Sequence, residues 1–142
     1  MPELPEVETT RRGIEPHIIN QTIDHVVVRE PRLRWDIPSS LATTLAHQQI
    51  KEVTRRGKYL LLATPSGTLI IHLGMSGCLS ILKGNTPVKT HDHVDICLGN
   101  NTCLRYNDPR RFGAILWTTH KPEEHKLLSS LGVEPLTAQF NP

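Results

Sequence analysis

The sequence predicts a mainly β protein, an antiparallel eight-stranded β-sandwich with an N-terminal helix and a C-terminal helix. Eight short runs rich in β-branched and aliphatic residues follow one another along the 142-residue chain. Eleven Pro and nine Gly are spread among them, which argues against a helical bundle. Many short strands divided by turns are typical of an antiparallel sandwich or barrel, and helical patterns at the two ends complete the prediction.

The first predicted element is a helix over Pro5–Ile19. Apolar residues recur there at near-helical spacing, and three glutamates lie among the first eight residues, where the helix dipole favours negative charge. Gly13 and Pro16 interrupt the pattern and predict a short or kinked helix. A helical interlude over Pro38–His47 and a second full helix over Pro122–Leu131, closed by a glycine, are also predicted.

The strands are predicted from short runs of β-forming residues bounded by turn residues. They are Ile23–Arg29, Ile50–Thr54, Lys58–Ala63, Thr68–Leu73, Gly77–Leu82, Val94–Leu98, Thr102–Tyr106 and Phe112–Trp117. Two of the dividing segments, Thr64–Gly67 and Gly99–Asn101, carry the residues that tight turns prefer.

Composition excludes several classes of protein. No apolar run approaches the length of a membrane span, and the acidic, proline-containing start is unlike a signal peptide. Cys78, Cys97 and Cys103 are odd in number and lack C-x-x-C spacing, which argues against a disulfide framework and against a cysteine zinc site. A reducing cytoplasm is the expected location.

The net charge is only +2, yet the basic residues are grouped along the sequence. The groups are Arg29, Arg32 and Arg34; Arg55, Arg56 and Lys58; and Arg105, Arg110 and Arg111. If the strands bring these groups onto one face, that face would bind phosphates. The alternative is that the arginines are solvated or paired with Glu30, Glu52 and Asp108.

The amino terminus offers a reactive nitrogen. Removal of Met1 would leave a secondary amine on Pro2, and an α-amine has a pKa near 8, well below that of lysine. Such an amine can attack a sugar carbon and form an iminium. Glu3 lies beside it as a candidate proton donor, and Glu6 could hydrogen-bond the amino end. Alternatively these acidic residues simply favour the helix start, and retention of Met1 would make the Pro2 nitrogen an unreactive amide.

A cluster of histidines and aspartates resembles a set of metal ligands. Strand alternation predicts His91, His93 and Asp95 on one face and Asp92 on the other. A metal-dependent nuclease is disfavoured, because no second group of ligands accompanies this one in the sequence.

Five separated segments occur together and in order. They are Pro2–Thr9, Arg56–Leu61, His72–Gly77, His91–Asp95 and Asp108–Gly113. This combination closely resembles bacterial formamidopyrimidine-DNA glycosylase, the base-excision repair enzyme that removes oxidised purines such as 8-oxoguanine. The related endonuclease VIII, which prefers oxidised pyrimidines, shares the Pro-Glu start but is a poorer match at the Arg-Arg-Phe segment.

The resemblance implies a bifunctional glycosylase and abasic-site lyase, acting through β- and δ-elimination. Pro2 would be the Schiff-base nucleophile and Glu3 the acid. Lys58, at the start of its strand, would bind phosphate and donate a proton in β-elimination. His91 and Arg110 would bind DNA. Supporting roles fall to Glu6 and Arg111.

The resemblance also implies that Met75, Arg110 and Phe112 fill the gap left by a flipped-out nucleotide. Extrusion costs a few kcal/mol of stacking and pairing. Apolar side chains recover part of that cost, and an arginine can hydrogen-bond the orphaned base, expected to be cytosine. The alternatives are that Met75 fills a gap in the core and that Phe112 is an ordinary strand residue.

The family's chain is about twice as long, and its second half carries a helix–turn–helix-like element and a cysteine zinc finger. The resemblance therefore implies a catalytic N-terminal domain over residues 1–135, the start of an interdomain linker over 136–142, and structural zinc only in the absent second domain. The expected partner is double-stranded DNA with an oxidised purine, the expected state is a monomer, and no membrane partner is expected. We expect the fragment alone to be weak or inactive. The alternatives are an endonuclease VIII-like enzyme and a non-catalytic module that binds damaged or single-stranded DNA.

Overall fold

The computed structural model describes residues 4–119, in which two four-stranded antiparallel sheets pack face to face and a long helix lies along one open edge. The elements in chain order are α1 (Leu4–Ile18), β1 (Ile23–Val28), α2 (Leu41–Leu45), β2 (Glu52–Arg56), β3 (Tyr59–Thr64), β4 (Gly67–His72), β5 (Cys78–Lys83), β6 (Asp92–Leu98), β7 (Thr102–Asn107) and β8 (Ala114–Thr118). The first sheet has the order β1-β6-β7-β5 and the second has the order β2-β3-β4-β8.

The predicted fold class is confirmed, because eight antiparallel strands form a sandwich behind an amino-terminal helix. α1 contacts β2, β5 and β3, so it closes the edge where the two sheets come together. It buries Val7, Ile14 and Ile18. Pro16 lies in the last turn of α1 and does not shorten it. The helix predicted over Pro122–Leu131 lies outside the described residues.

The core between the sheets is made of aliphatic side chains from alternate strand positions. Leu60, Leu62 and Leu69 of the second sheet meet Val94 and Ile96 of the first, and each is at most 3% exposed. Complete burial of one such side chain contributes about 1.5–3 kcal/mol to folding. A second apolar cluster lies on the opposite face of the second sheet and is called the outer-face cluster here. It consists of Tyr59, Leu61, Ile70, Ala114 and Leu116.

Strand boundaries depart from the prediction where chemistry is expected. β8 begins at Ala114, so Phe112 lies in the preceding loop and not in a strand. β2 runs over Glu52–Arg56, two residues later than predicted, and Lys58 consequently lies in the turn between β2 and β3 and not at the start of a strand. β6 begins at Asp92 and α2 spans only five residues. The departures of the strands arise at turns, because pairing with a neighbouring strand decides at which residue a strand begins or ends.

No helix among residues 4–119 is long and apolar enough to cross a bilayer.

Candidate functional site

Two loops lie side by side at one end of the sandwich. One connects β4 to β5 over residues 73–77, the other connects β7 to β8 over residues 108–113, and together they are called the paired loops here. Gly74 has a φ of +67°, and a Cβ on it would lie 2.7 Å from the Gly113 nitrogen. A Cβ on Gly113 would overlap the Tyr106 hydroxyl. Backbone therefore packs directly on backbone here, and only glycine permits that approach.

Asp108 joins the paired loops. Its buried carboxylate accepts hydrogen bonds from the Ser76 hydroxyl (2.6 Å), the Tyr106 hydroxyl (2.7 Å), and the backbone N–H groups of Gly113 (2.9 Å) and Arg111 (3.1 Å). Burial by itself would raise the pKa of Asp108, but these four donors outweigh it and hold the pKa below its ordinary value. The carboxylate is therefore ionised at neutral pH and both loops are anchored to one charge.

The paired loops expose an unusual set of side chains. Met75 is 53% exposed and Phe112 is 43% exposed, although both are large and apolar. The Arg110 guanidinium lies 4.7 Å from the centre of the Phe112 ring, and its backbone N–H donates to the Ser76 hydroxyl oxygen at 3.3 Å. The structure thus brings the three predicted gap-filling residues together on one surface. Met75 is not a core residue, and Phe112 is not a strand residue.

A basic site borders the paired loops at the end of the second sheet. Tyr59 and His72 are register partners in β3 and β4, and their ring centres are 4.8 Å apart. Lys58 precedes Tyr59 in a turn for which Gly57 supplies a φ of +58°. Burial, and then the charges of Arg34 and Lys58, lower the pKa of His72 to about 4.

His72 is therefore neutral at neutral pH. Its Nδ1 accepts a hydrogen bond from the Gly74 N–H at 3.2 Å, which places the ring hydrogen on Nε2. His72 lies within one of the five motifs, but neither its sequence neighbours nor its spacing indicates a role. Its register position opposite Tyr59, beside Lys58, is information that only strand pairing supplies.

His91 is exposed in the turn immediately before β6 and has a φ of +72°, a left-handed conformation that is unusual for a residue other than glycine. Its carbonyl accepts the Asp108 N–H at 3.1 Å. Its ring centre lies 6.1 Å from that of His93, whose Nε2 donates to the Asp108 carbonyl at 2.7 Å. His91 is therefore attached to the loop that carries Arg110.

A tight turn before β6 holds His91 in this conformation. The Asp92 carboxylate accepts the Lys89 N–H at 2.7 Å and the Asn107 side-chain amide at 2.8 Å. The same Asn107 amide donates to the Thr90 carbonyl at 3.1 Å. Asn107, the last residue of β7, thus bonds the turn on both sides of His91, a role that no sequence pattern indicates.

The predicted alternation of the histidines and aspartates is wrong. The pairing of β6 with β7 shifts between Asp92 and Val94, as in a β-bulge, and this resets the alternation. Asp92 and Asp95 consequently both approach Arg105, with nearest N–O distances of 3.7 Å and 2.8 Å. His93 instead reaches the Asp108 carbonyl. His91, His93 and Asp95 therefore do not form one set of ligands.

One group within residues 4–119, Asp95, Cys97 and Cys103, has potential ligand atoms within 4.8 Å of one another. It does not suit a cation. The Asp95 carboxylate is already bound by Arg29 at 2.6 Å and by Arg105 at 2.8 Å, which are two positive charges. Burial also raises the pKa of both thiols, that of Cys103 to about 12, so the thiolates that bind metals are disfavoured.

The three basic groups of the sequence do not form one phosphate-binding face. Several members are bound to carboxylates: Arg29 and Arg105 to Asp95, Arg32 to Glu30, and Arg55 to Glu8. Arg56 is buried. Arg34, Arg110 and Arg111 remain exposed around the paired loops.

Arg111, a predicted supporting residue, has a φ of +55°, and its Nη1 lies 3.7 Å from Oε1 of Glu30. Glu6 is exposed in the first turn of α1. Pro2 and Glu3 lie outside the described residues, so their roles stay predictions.

Comparison with known proteins assigns this architecture to one family. The profile described as "Formamidopyrimidine-DNA glycosylase N-terminal domain" matches residues 1–115. Proteins named formamidopyrimidine-DNA glycosylase from Nitrosococcus oceani and Methylococcus capsulatus are each 58% identical over 141 residues, which is 99% of this chain and 52% of theirs. The chain thus spans about half the length of the curated relatives it matches.

Solved structures give the same result. A Lactococcus lactis Fpg structure with Fapy-dG-containing DNA matches with a TM-score of 0.75 at 34% identity, over 81% of this chain and 43% of that one. A second, of the wild-type Lactococcus lactis enzyme with oxidised-pyrimidine-containing DNA, has a TM-score of 0.76 at 34% identity and covers 82% of this chain and 44% of that one.

Proposed function

Because the chain belongs to the formamidopyrimidine-DNA glycosylase family, we propose that it is the catalytic half of a base-excision repair enzyme that removes oxidised purines from double-stranded DNA and then cleaves the abasic site. The observation that carries the proposal is the exposed set of Met75, Arg110 and Phe112 on loops anchored to buried Asp108. Exposed apolar side chains on a rigid support beside an arginine suit insertion into a DNA duplex.

In the proposed mechanism the enzyme extrudes the damaged nucleotide and fills the space that it leaves. Met75 and Phe112 stack in the gap, and Arg110, positioned over the Phe112 ring, hydrogen-bonds the orphaned base, for which cytosine offers suitable acceptors. These contacts offset part of the few kcal/mol that unstacking costs. Because Asp108 holds both loops before DNA arrives, little further ordering is required.

The chemical steps are assigned to the amino terminus. The Pro2 nitrogen attacks C1′ of the damaged nucleotide and gives up its proton, the bond to the base breaks, and the departing base takes up that proton. Glu3 protonates the ring oxygen as the sugar opens, which yields an iminium between Pro2 and C1′. Loss of a C2′ proton then expels the 3′ phosphate, and Lys58 donates a proton in this β-elimination. A second elimination releases the 5′ phosphate, and hydrolysis of the iminium frees the enzyme.

The partner is proposed to be double-stranded DNA, with the lesion opposite cytosine, bound by a monomer. DNA lies in the cleft between the two halves in the family, and this chain would form one wall of that cleft. Structural zinc would belong to the other half. Since the Lactococcus lactis relative was solved with oxidised-pyrimidine-containing DNA, oxidised pyrimidines are proposed as secondary substrates.

The proposal is tested by trapping the iminium with borohydride on DNA containing one abasic site. The protein is the chain completed with the second half of the Nitrosococcus oceani relative, and the chain alone is assayed beside it. The completed protein with a free Pro2 amine is expected to form a covalent adduct and to excise 8-oxoguanine faster than thymine glycol. The chain alone is expected to show little activity, because it lacks the second wall of the cleft.

The matched control keeps an uncleaved extension on the amino terminus, which turns the Pro2 nitrogen into an amide. This form is expected to bind DNA but to give no adduct, and intact mass establishes which form is present. An adduct from the extended form would assign the nucleophile to another amine. DNA binding without an adduct from either form would identify a non-catalytic binding module, and faster excision of thymine glycol would favour the endonuclease VIII-like alternative.

A further inference from the structure

Arg34 lies in the segment between β1 and α2, which runs along the paired loops. Its backbone N–H donates to the Gly113 carbonyl at 3.0 Å. The Arg111 side chain reaches the Arg32 carbonyl of the same segment at 3.5 Å. These contacts place Arg34 one hydrogen bond away from the loop that carries Arg110 and Phe112.

The Arg34 side chain is exposed and stacked. Its guanidinium lies 4.9 Å from the centre of the Trp35 ring. Trp35 is partly buried against the outer-face cluster, so the indole is a fixed surface under a planar cation. Stacking restricts the side chain without using its N–H donors, which stay available to a ligand.

Arg34 differs from its neighbour Arg32 in its ionic partners. Arg32 donates two side-chain hydrogen bonds to the Glu30 carboxylate, each at 2.9 Å. Arg34 has no ion-pair partner among residues 4–119. Two exposed arginines in the same short segment are therefore in opposite states, one neutralised by a carboxylate and the other not.

The electrostatic surroundings of Arg34 also favour an anion. Burial is the main cause of the low pKa of His72, and the charges of Arg34 and then Lys58 add to it. Both positive charges therefore act on the His72 ring, which presents an Nε2–H donor.

We propose that Arg34, supported by Trp35, is a phosphate-binding residue of the DNA surface, located beside the paired loops. This inference rests on the proposed function and extends it, since it assigns a contact with the DNA backbone to a residue outside the five sequence motifs. A guanidinium binds a phosphate through two parallel N–H donors, so one backbone phosphate would be held beside the gap-filling loop. The contact would position the duplex and read no sequence.

The test compares Arg34→Met with Arg32→Met in the completed protein. Each variant is titrated with undamaged and lesion-containing duplexes over a series of salt concentrations. Arg34→Met is expected to weaken binding to both duplexes about tenfold at low salt and to reduce the slope of log K against log salt by about one. Arg32→Met is expected to leave the salt slope unchanged, because Glu30 already occupies the side-chain donors of Arg32 and Arg32 would contact no phosphate.

Equal behaviour of the two variants, or an unchanged salt slope in Arg34→Met, would overturn the assignment. Thermal melting checks that each variant folds, and Arg34→Gln replaces Arg34→Met if the latter does not. Failure of the proposed chemistry is distinguishable. A wild-type protein that forms no trapped adduct, while Arg34→Met still lowers the slope, would contradict the glycosylase proposal and leave the phosphate contact established.

Discussion

Asp108 connects the two paired loops through a single buried side chain. Its carboxylate is fully buried, accepts four hydrogen bonds and connects a hydroxyl of one loop to two backbone N–H groups of the other. A buried carboxylate with this many donors is stable only as an anion, and each donor would be orphaned without it. The two loops that expose Met75 and Phe112 are therefore held in place by one buried negative charge.

Replacement of Asp108 by Asn is expected to destabilise the protein by about 2–3 kcal/mol, because an amide nitrogen would face donors and leave at least one of them unsatisfied. Urea denaturation measures this loss. Binding of lesion-containing DNA should weaken as well, since the two loops lose their common anchor. Ser76→Ala, which removes a single donor, is the control and should cost only about 1 kcal/mol. A free energy of unfolding equal to that of the wild type would contradict the role given to Asp108.

At the scale of one element, the turn that precedes β6 presents His91 in a conformation that an isolated peptide would rarely adopt. A left-handed residue with a Cβ costs roughly 1–2 kcal/mol of local strain. Asn107 and Asp92 offset this cost by bonding the turn on both sides of His91. Because Asn107 ends β7, the position of the histidine is set by the sheet and not by the loop itself.

A double-mutant cycle of Asn107→Ala and His91→Ala tests this coupling. Asn107→Ala is expected to cost about 1 kcal/mol in stability through its lost hydrogen bonds. The loss of DNA-binding free energy caused by Asn107→Ala should be much smaller when His91 is already alanine, because the turn then positions no imidazole. A coupling energy of about 0.5–1 kcal/mol in the binding free energy is expected. Additive losses would show that Asn107 acts on stability alone.

Over the whole molecule, buried titratable groups in both sheets tie stability to pH. In the first sheet, burial would raise the pKa of Asp95, but hydrogen bonds from Arg105 and Arg29 lower it to about 2. In the second sheet His72 is held neutral by burial and neighbouring cations. The ionised Asp95 carboxylate stabilises the fold fully above its ordinary pKa near 4, and this stabilisation is lost as the pH falls toward 2. His72 instead affects stability between pH 6.5 and 4, so the two groups act mainly in different pH windows.

His72 makes the protein less stable as pH falls from 6.5 toward 4. Its pKa is about 4 in the folded state and 6.5 when unperturbed, so the unfolded chain binds more protons within this window. The free energy of unfolding is expected to fall by up to about 3 kcal/mol across the window, at 1.36 kcal/mol per pKa unit. Urea denaturation at a series of pH values measures it. His72→Gln should flatten the curve between these limits, and an equally steep curve in that variant would assign the effect to another group.

Local sequence patterns were sufficient to predict the fold class, the course of α1 and the approximate positions of the strands. These features depend on local propensity, on turn residues and on apolar spacing, all of which operate within a few residues. The five motifs also predicted the family, because each is a short run of neighbouring residues. Trp35 shows what local sequence cannot predict, because nothing in its immediate neighbours indicates that its ring supports a guanidinium.

Only the tertiary structure decided which charged residues are available to a ligand. Arg29 and Asp95 are 66 residues apart in the chain and yet 2.6 Å apart in space, while Arg34, five residues after Arg29, meets no carboxylate among the described residues. The register shift at the start of β6 likewise brings Asp92 and Asp95 together at Arg105 and turns His93 to the Asp108 carbonyl, unlike the predicted alternation. The physical reason is common to both cases: ion pairing and strand register depend on distances between elements, and local sequence does not contain those distances.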